Sequence, residues 1–180
     1  MCSYCLDAQC NMGSLCLRGM FAGKGDQFSP LPAGPHSQTK KYSKVGQIES
    51  EHLFPHAALK ASGIPYNYNS EPTMSIPYNV HRGGVSGAGG GITSTGSSST
   101  ASGWSGHLGA MAKSDFRSAL RQFAIDQANG HWMNGNLTGE VTMQIMQVVN
   151  GHQNLGRLTM DQAGSINNEI MNIYLLRGKK

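Results

Sequence analysis

The chain has 180 residues, 13% of them charged, and a formal net charge of +4 at pH 7. A chain of this length forms one domain, or one domain with a small appendage. Its weak positive charge permits binding to a polyanion without requiring it. The sequence has no run of the roughly 18 apolar residues that a membrane span needs, and its start lacks the basic and apolar segments of a secretory signal. We therefore expect no membrane partner and a cytoplasmic location in the producing cell.

All four cysteines lie close to the N-terminus, at Cys2, Cys5, Cys10 and Cys16. The first two have the C-x-x-C spacing with which two thiolates reach one tetrahedral Zn²⁺ ion, and the other two could complete a structural zinc site. Free, inert thiols explain the same pattern about equally well, and disulfides are a third alternative. Three prolines between positions 30 and 35 then indicate an extended linker. We assign residues 1–41 to a cysteine-containing extension that is either zinc-binding or irregular.

An acid–histidine pair opens the next segment. Glu51 and His52 precede two apolar residues, and Pro55 follows these. Residues 73–76 alternate between polar and apolar, which predicts a half-buried strand. The segment that this strand opens ends in His81. We expect this layout to bring the two histidines side by side on two strands and a short helix.

Residues 83–110 consist mainly of glycine, serine and threonine. This composition is typical of a flexible linker. It is equally typical of an ordered loop at a site, because glycine and hydroxyl residues let the backbone approach a phosphate closely. We place the stretch in one predicted unit with the strands before it, residues 42–112.

The last third of the sequence is predicted to be helical. Ser114 is a suitable N-cap for a helix whose apolar residues fall on one face, and Gly130 is expected to end that helix. A second amphipathic stretch follows, and the capping-box pair Thr159 and Gln162 opens a third helix. Residues 113–180 are therefore predicted to form a helical region, which could also serve as the interface of a homodimer.

The acid–histidine pair suits the hydrolysis of phosphodiester bonds. Such an enzyme must deprotonate water and stabilise the charge that develops on the phosphate and on the leaving oxygen. A neutral histidine is a suitable base near pH 7, and one divalent ion with open coordination positions can balance the charge. Because adjacent residues of a strand point to opposite faces, Glu51 and His52 can serve one site only across a bulge or a twist.

Residues 51–55 resemble the acid/His-His-apolar-apolar-Pro opening of the HNH, or treble-clef ββα-metal, nucleases. Residues 73–83, where an apolar strand leads through a proline to a histidine, resemble the second half of that unit, especially in bacterial polymorphic-toxin branches. The resemblance covers roughly residues 46–107. It implies an α+β fold with a small ββα-metal (HNH-like) core and a mainly α-helical C-terminal part. The asparagine that orients the base in the family falls near Thr73 in this sequence.

The resemblance also implies roles for the site residues. His52 matches the general base, whereas Glu51 and His81 match metal ligands. His107 is the candidate for a further ligand, and Arg82 is the candidate for a phosphate contact in the active site. Further contacts to nucleic acid are expected from Lys40, Lys41 and Thr95. The site would hold one divalent ion: Mg²⁺, Mn²⁺, Ni²⁺ or Zn²⁺.

The other histidines are given no role in the chemistry. His56 is expected to be a supporting or structural residue, because Pro55 interrupts any helix that would pair it with His52. Solvent-facing or structural positions are expected for His36, His131 and His152.

The function implied by the resemblance is that of a metal-dependent endonuclease, acting on DNA in preference to RNA, as an antibacterial toxin or effector. It further implies a cognate inhibitor (immunity) protein, and delivery to a target cell without a cleavable signal peptide. The alternative is a non-catalytic binding or scaffold protein with an N-terminal zinc knuckle and a helical association domain. In that case the Gly/Ser stretch is a linker, and His52 and His81 are structural.

Overall fold

The computed structural model describes residues 33–45, 47–77, 100–133, 135 and 137–177. These residues belong to one compact unit, Leu31–Lys180. Several residues predicted to matter lie outside the described part of the chain: the four cysteines, His81, Arg82 and Thr95.

The described residues form an α+β structure in which helix predominates and the sheet is small. The strands are β1 (Ala33–Pro35), β2 (Ile48–His52) and β3 (Pro72–Pro77). A short helix α1 (His36–Thr39) and a 3₁₀ turn (Lys40–Tyr42) follow β1. The remaining helices are α2 (His56–Ser62), α3 (Thr100–Ser114), α4 (Phe116–Met133), α5 (Gly139–Asn154) and α6 (Met160–Arg177).

The sheet is antiparallel and has the order β1-β3-β2. The central strand β3 contacts α1 and α5 as well as both neighbouring strands. Its residues 73–76 are all fully buried, so the predicted half-buried strand is buried on both faces. Pairing between β2 and β3 runs without a bulge from Ile48↔Pro77 to His52↔Thr73.

The stretch predicted as a Gly/Ser loop ends earlier than expected, because α3 begins at Thr100. This helix packs against α2 at a close crossing. A Cβ added at Gly109 would lie 2.6 Å from the Cβ of Ala61 and 3.0 Å from the carbonyl oxygen of Ala58. The glycine here therefore permits two helices to meet, rather than making a loop.

The predicted ends of α4 are wrong at both termini. Asp115 is the N-cap, since the backbone N–H of Ser118 donates to its Oδ1 at 3.1 Å. Ser114 is instead the last residue of α3, and its hydroxyl donates to the carbonyl of Met111. The helix also continues past Gly130 to Met133, and the left-handed glycine lies in the following turn at Gly135, with φ 69°.

The last two helices begin where their caps predict. The side chain of Thr138 accepts a hydrogen bond from the N–H of Val141 at the start of α5. At the start of α6, the Thr159 N–H donates to Gln162 Oε1 at 2.8 Å, and the Gln162 N–H donates to Thr159 Oγ1 at 3.2 Å. The predicted capping box is therefore confirmed. Within the described part of the chain, every helix is too short or too polar to cross a membrane.

Candidate active site: three histidines at the end of β2

His52 lies at the end of β2 and belongs to a cluster of histidines. Its ring stacks on that of His36, with centroids 4.8 Å apart and planes inclined by 25°. The His56 ring, from the first residue of α2, lies 6.5 Å from His52. The cluster thus draws on three separate elements, the start of α1, the end of β2 and the start of α2. Pro55 makes the turn that brings the last two together.

Glu51 does not face this cluster. The regular register pairs Glu51 with Met74 and His52 with Thr73, so the two neighbours point to opposite faces of the sheet. Glu51 is buried on its own face. The bulge that would bring its carboxylate beside His52 is not present in β2.

A chain of hydroxyl groups holds His36 in place. Its Nδ1 lies 3.2 Å from Ser50 Oγ, which lies 2.6 Å from Thr39 Oγ1. Thr39 Oγ1 in turn makes a short hydrogen bond with Thr73 Oγ1, and Thr73 donates to the carbonyl oxygen of Gly34 at 3.2 Å. Ser50 and Thr73 stand on the same face of the sheet as His52, one on each of its two paired strands.

Two backbone carbonyls, which can only accept, contact this chain. Thr73 Oγ1 lies 3.2 Å from the Gly34 carbonyl oxygen, and Thr39 Oγ1 lies 3.3 Å from the His36 carbonyl oxygen. Either hydroxyl can donate in the Ser50–Thr39 and Thr39–Thr73 contacts, and the role of His36 Nδ1 depends on its tautomer. With Thr73 donating to Gly34 and Thr39 to Thr73, Ser50 donates to Thr39 and His36 Nδ1 donates to Ser50. For this arrangement we expect neutral His36 to carry its proton on Nδ1.

Burial keeps His52 neutral. Desolvation is the main reason why the pKa of His52 falls to about 4, and the nearby His36 lowers it further. A hydrogen bond with the Tyr68 backbone and the charge of Glu71 act in the opposite direction. The Nε2 atom of His52 is buried, and it has no hydrogen-bond partner among the described residues.

Two tyrosines border the histidines. The Tyr68 ring lies 4.5 Å from His36 and 4.8 Å from His52, and the Tyr66 ring lies 4.3 Å from His56, edge to face. His56 Nε2, like that of His52, is buried without a hydrogen-bond partner among the described residues. The cluster therefore contains two imidazole nitrogens that the described part of the protein does not engage in hydrogen bonds.

A buried ion pair anchors the loop that carries the tyrosines. Arg157 donates through Nη1 and Nη2 to the two carboxylate oxygens of Glu71, at 2.6 and 2.7 Å. The same guanidinium donates to the carbonyl oxygen of Pro65 and to Nδ1 of His152. Burial lowers the pKa of His152 to about 3, and the Arg157 charge adds to the effect. His152 is thus a structural residue, as predicted, whereas His36 belongs to the cluster.

Positive charge borders the cluster on the side of α1. Lys40 Nζ donates to Asn69 Oδ1 at 3.2 Å, and its charge contributes to a lowered pKa of His36, after the larger effect of burial. Lys41, the next residue of the 3₁₀ turn, is exposed. The two lysines expected to contact nucleic acid therefore lie on the turn that follows α1, the helix that begins with His36.

The predicted metal ligands are not gathered at this cluster. Glu51 is on the other face, His107 is exposed on α3, and His81 lies outside the described residues. Among the residues that the structure describes, no group of three or more His, Cys, Asp or Glu side chains could hold a metal ion. Imidazole is a suitable ligand for zinc or nickel, but the expected carboxylate ligand does not fit here.

Comparisons with protein-family models, with curated proteins and with solved structures find no match to the chain. The site is therefore identified from its geometry. Sequence reasoning missed His36, because the pairing of β1 with β3 that brings it to His52 leaves no local pattern. It also missed Tyr66 and Tyr68, although two aromatic residues in an asparagine-rich turn were a visible signal.

Proposed function

We propose that the chain is a nuclease that hydrolyses phosphodiester bonds with His52 as the general base. The observation that carries this proposal is the state of the His52 ring. The ring is stacked on His36 at the end of β2, and its Nε2 makes no hydrogen bond within the described structure. A histidine held in this way can accept the proton of an attacking water through that nitrogen when the substrate and the water reach it.

Lys40 supports the choice of a phosphodiester substrate. Its ammonium group lies beside the loop that packs on the cluster, and Lys41 extends the positive surface. A cation at this place can attract the phosphate backbone and balance its charge. The resemblance to HNH nucleases at residues 51–55 and 73–83 points to the same reaction.

A divalent ion is part of the proposal, because the HNH-like pattern implies one to balance charge at the scissile phosphate. Glu51 does not suit the role of ligand, for its carboxylate lies on the face of β2 that is turned away from His52. We therefore derive no step through the ion. The ββα-metal core, a preference for DNA and a cognate inhibitor protein belong to this proposal on the strength of the resemblance alone.

Plasmid cleavage tests the proposal. The protein is incubated with supercoiled DNA in Mg²⁺, Mn²⁺, Ni²⁺, Zn²⁺ or EDTA, as wild type and as His52→Gln. We expect the variant to lose about 10²- to 10⁴-fold in rate, the usual contribution of a general base. The matched control is His131→Gln, a buried histidine of α4 outside the cluster, which should cut at the wild-type rate.

Two outcomes would contradict the proposal. A folded His52→Gln protein that cuts as fast as wild type removes the base assignment. A folded wild-type protein that cuts neither DNA nor RNA under any of these conditions favours the non-catalytic binding protein instead.

A further inference from the structure

The two tyrosines beside the cluster are partly exposed to solvent. Tyr66 is 37% exposed and Tyr68 is 48% exposed. Each ring meets a histidine edge to face, Tyr66 on His56 and Tyr68 on His36. Exposed aromatic rings next to a proposed catalytic base are placed to contact the substrate.

The loop that carries these rings is firmly held. The carbonyl of Asn67 accepts from the N–H groups of Ser70 and Glu71, at 2.9 and 3.0 Å, which forms a tight turn. The loop is tied to α1 by two further backbone bonds, Ser37 N–H to the Asn69 carbonyl and His36 N–H to the Glu71 carbonyl, both 2.9 Å. Arg157 also holds the loop, by donating to the Pro65 carbonyl and to the Glu71 carboxylate. The rings therefore form a fixed platform rather than a lid, and a ligand stacking on them meets a surface that is already ordered.

The charge around the platform is suited to a polyanion. Lys40 donates to Asn69, which lies one residue after Tyr68. The nearest acid in the loop, Glu71, is paired with both nitrogens of a guanidinium and is buried. The platform thus combines open aromatic rings with an ammonium group whose charge is not balanced by the loop itself.

We propose that Tyr66 and Tyr68 stack on unpaired bases, so that the site takes single-stranded nucleic acid or an unpaired segment of a duplex. In a duplex the faces of the bases are covered by their neighbours, and only an unpaired base can lie on a tyrosine ring. The Lys40 ammonium then binds the adjacent phosphate, and the backbone is brought to His52. This inference rests on the proposed nuclease function and names its substrate class.

Binding and cleavage are measured separately in the test. The full chain carrying His52→Gln is titrated into fluorescein-labelled oligonucleotides: single-stranded DNA, single-stranded RNA and the blunt DNA duplex. We expect a single strand to bind more tightly than the duplex, and the tighter of the two single strands identifies the sugar. Adding Tyr66→Leu or Tyr68→Leu should weaken single-strand binding by about 5- to 150-fold, which corresponds to the usual stacking contribution per base.

Three control variants separate stacking from other roles of these residues. Tyr66→Phe and Tyr68→Phe keep the ring and should retain binding within about two-fold of the parent, since stacking does not need the hydroxyl. Tyr42→Leu replaces another exposed tyrosine, 53% accessible on the 3₁₀ turn, and should leave binding unchanged. A 2-aminopurine base in the oligonucleotide should be quenched on binding to the parent and less so on binding to the leucine variants.

The outcomes distinguish this inference from the proposed function. Equal affinity for duplex and single strand, with no effect of the leucine variants, overturns the platform even if wild-type protein cuts plasmid with a dependence on His52. Tyrosine-dependent binding of single strands by a protein that cuts nothing would establish the platform and overturn the nuclease.

Discussion

At the scale of single residues, the hydroxyl chain is what distinguishes His36 from an ordinary buried histidine. Each of its hydroxyl groups has one proton, and donation from Thr73 to the Gly34 carbonyl at the far end gives all of the hydrogen bonds one direction. Hydrogen bonds aligned in this way polarise one another and hold the ring in one orientation. The stacking of His52 on His36 then depends on Ser50, which no sequence motif singled out.

Replacing Ser50 by alanine should break this chain. Thr39 loses a donor and His36 Nδ1 loses its acceptor, so we expect the free energy of unfolding to fall by about 1–3 kcal/mol. The control is Ser75→Ala, at the cross-strand partner of Ser50, where the buried hydroxyl has no hydrogen-bond partner among the residues with a described structure. Urea denaturation should show almost no loss for that control. Imidazole ¹⁵N shifts should report the Nδ1–H form of His36 in the wild type, and the Nε2–H form there would show that the chain runs the other way.

At the scale of elements, the ion pair between Glu71 and Arg157 joins the tyrosine loop to the turn after α5. Its side chains are 2% and 11% exposed, so the two charges are largely removed from water. A buried pair of this kind adds little stability by itself, but either partner left alone is very unfavourable. The pair therefore serves mainly to fix where the loop lies.

Arg157→Met should leave the Glu71 carboxylate buried and unpaired, and should lower the free energy of unfolding by about 3–5 kcal/mol. The matched control is Arg121→Met, which removes the pair between α4 and α6. Its partners Arg121 and Glu169 are 44% and 33% exposed. We expect that control to lose less than about 1 kcal/mol, because exposed ion pairs contribute little. Similar losses in the two variants would mean that Glu71 finds water or another donor once Arg157 is gone.

Sequence patterns predicted those elements whose signals are local. The capping box at Thr159 was predicted because it depends on residues within one turn. The start of α4 was misplaced by one residue because Ser114 and Asp115 are both good caps, and α3 already uses Ser114 as its last residue. The start of α3 was missed because glycines such as Gly109 were interpreted as loop residues. Gly109 instead permits the close contact with α2, which is distant in sequence.

At the scale of the whole molecule, the strand at residues 73–76 and the helical last third were predictable from periodicity, and the α+β class from the resemblance, whereas the assembly of the site was not. The cluster unites the start of α1, the end of β2 and the start of α2, and the pairing of β1 with β3 brings the first of these to the second. The central strand β3 also contacts α1 and α5 and is fully buried at residues 73–76, which the alternation in these residues did not indicate. Long-range contacts of this kind depend on the complete fold, so His52 could be singled out from sequence while its closest neighbour could not.

Burial of several histidines should make the folded state sensitive to acid. The pKa is lowered to about 4 in His52 and in His131, and to about 3 in His152, chiefly by desolvation. Above the unfolded value of about 6.5 these rings are neutral in both states, and the stability is complete. As the pH falls from about 6.5 toward 4, the unfolded chain binds protons that the folded chain does not. The free energy of unfolding then drops by up to about 1.4 kcal/mol per pH unit for each histidine.

His131→Leu separates one of these contributions from the others. Within the part of the chain that the structure describes, both ring nitrogens of His131 are buried without a hydrogen-bond partner, so an apolar side chain of similar size should be tolerated near pH 7. Urea denaturation between about pH 7 and about pH 5 should show a shallower loss for the variant, by up to about 1.4 kcal/mol per pH unit. Parallel profiles for the two proteins would mean that His131 is protonated in the folded state as readily as in the unfolded chain. The acid sensitivity would then come from the cluster and from His152. Protonation of His52, in the cluster, would also disable the proposed base.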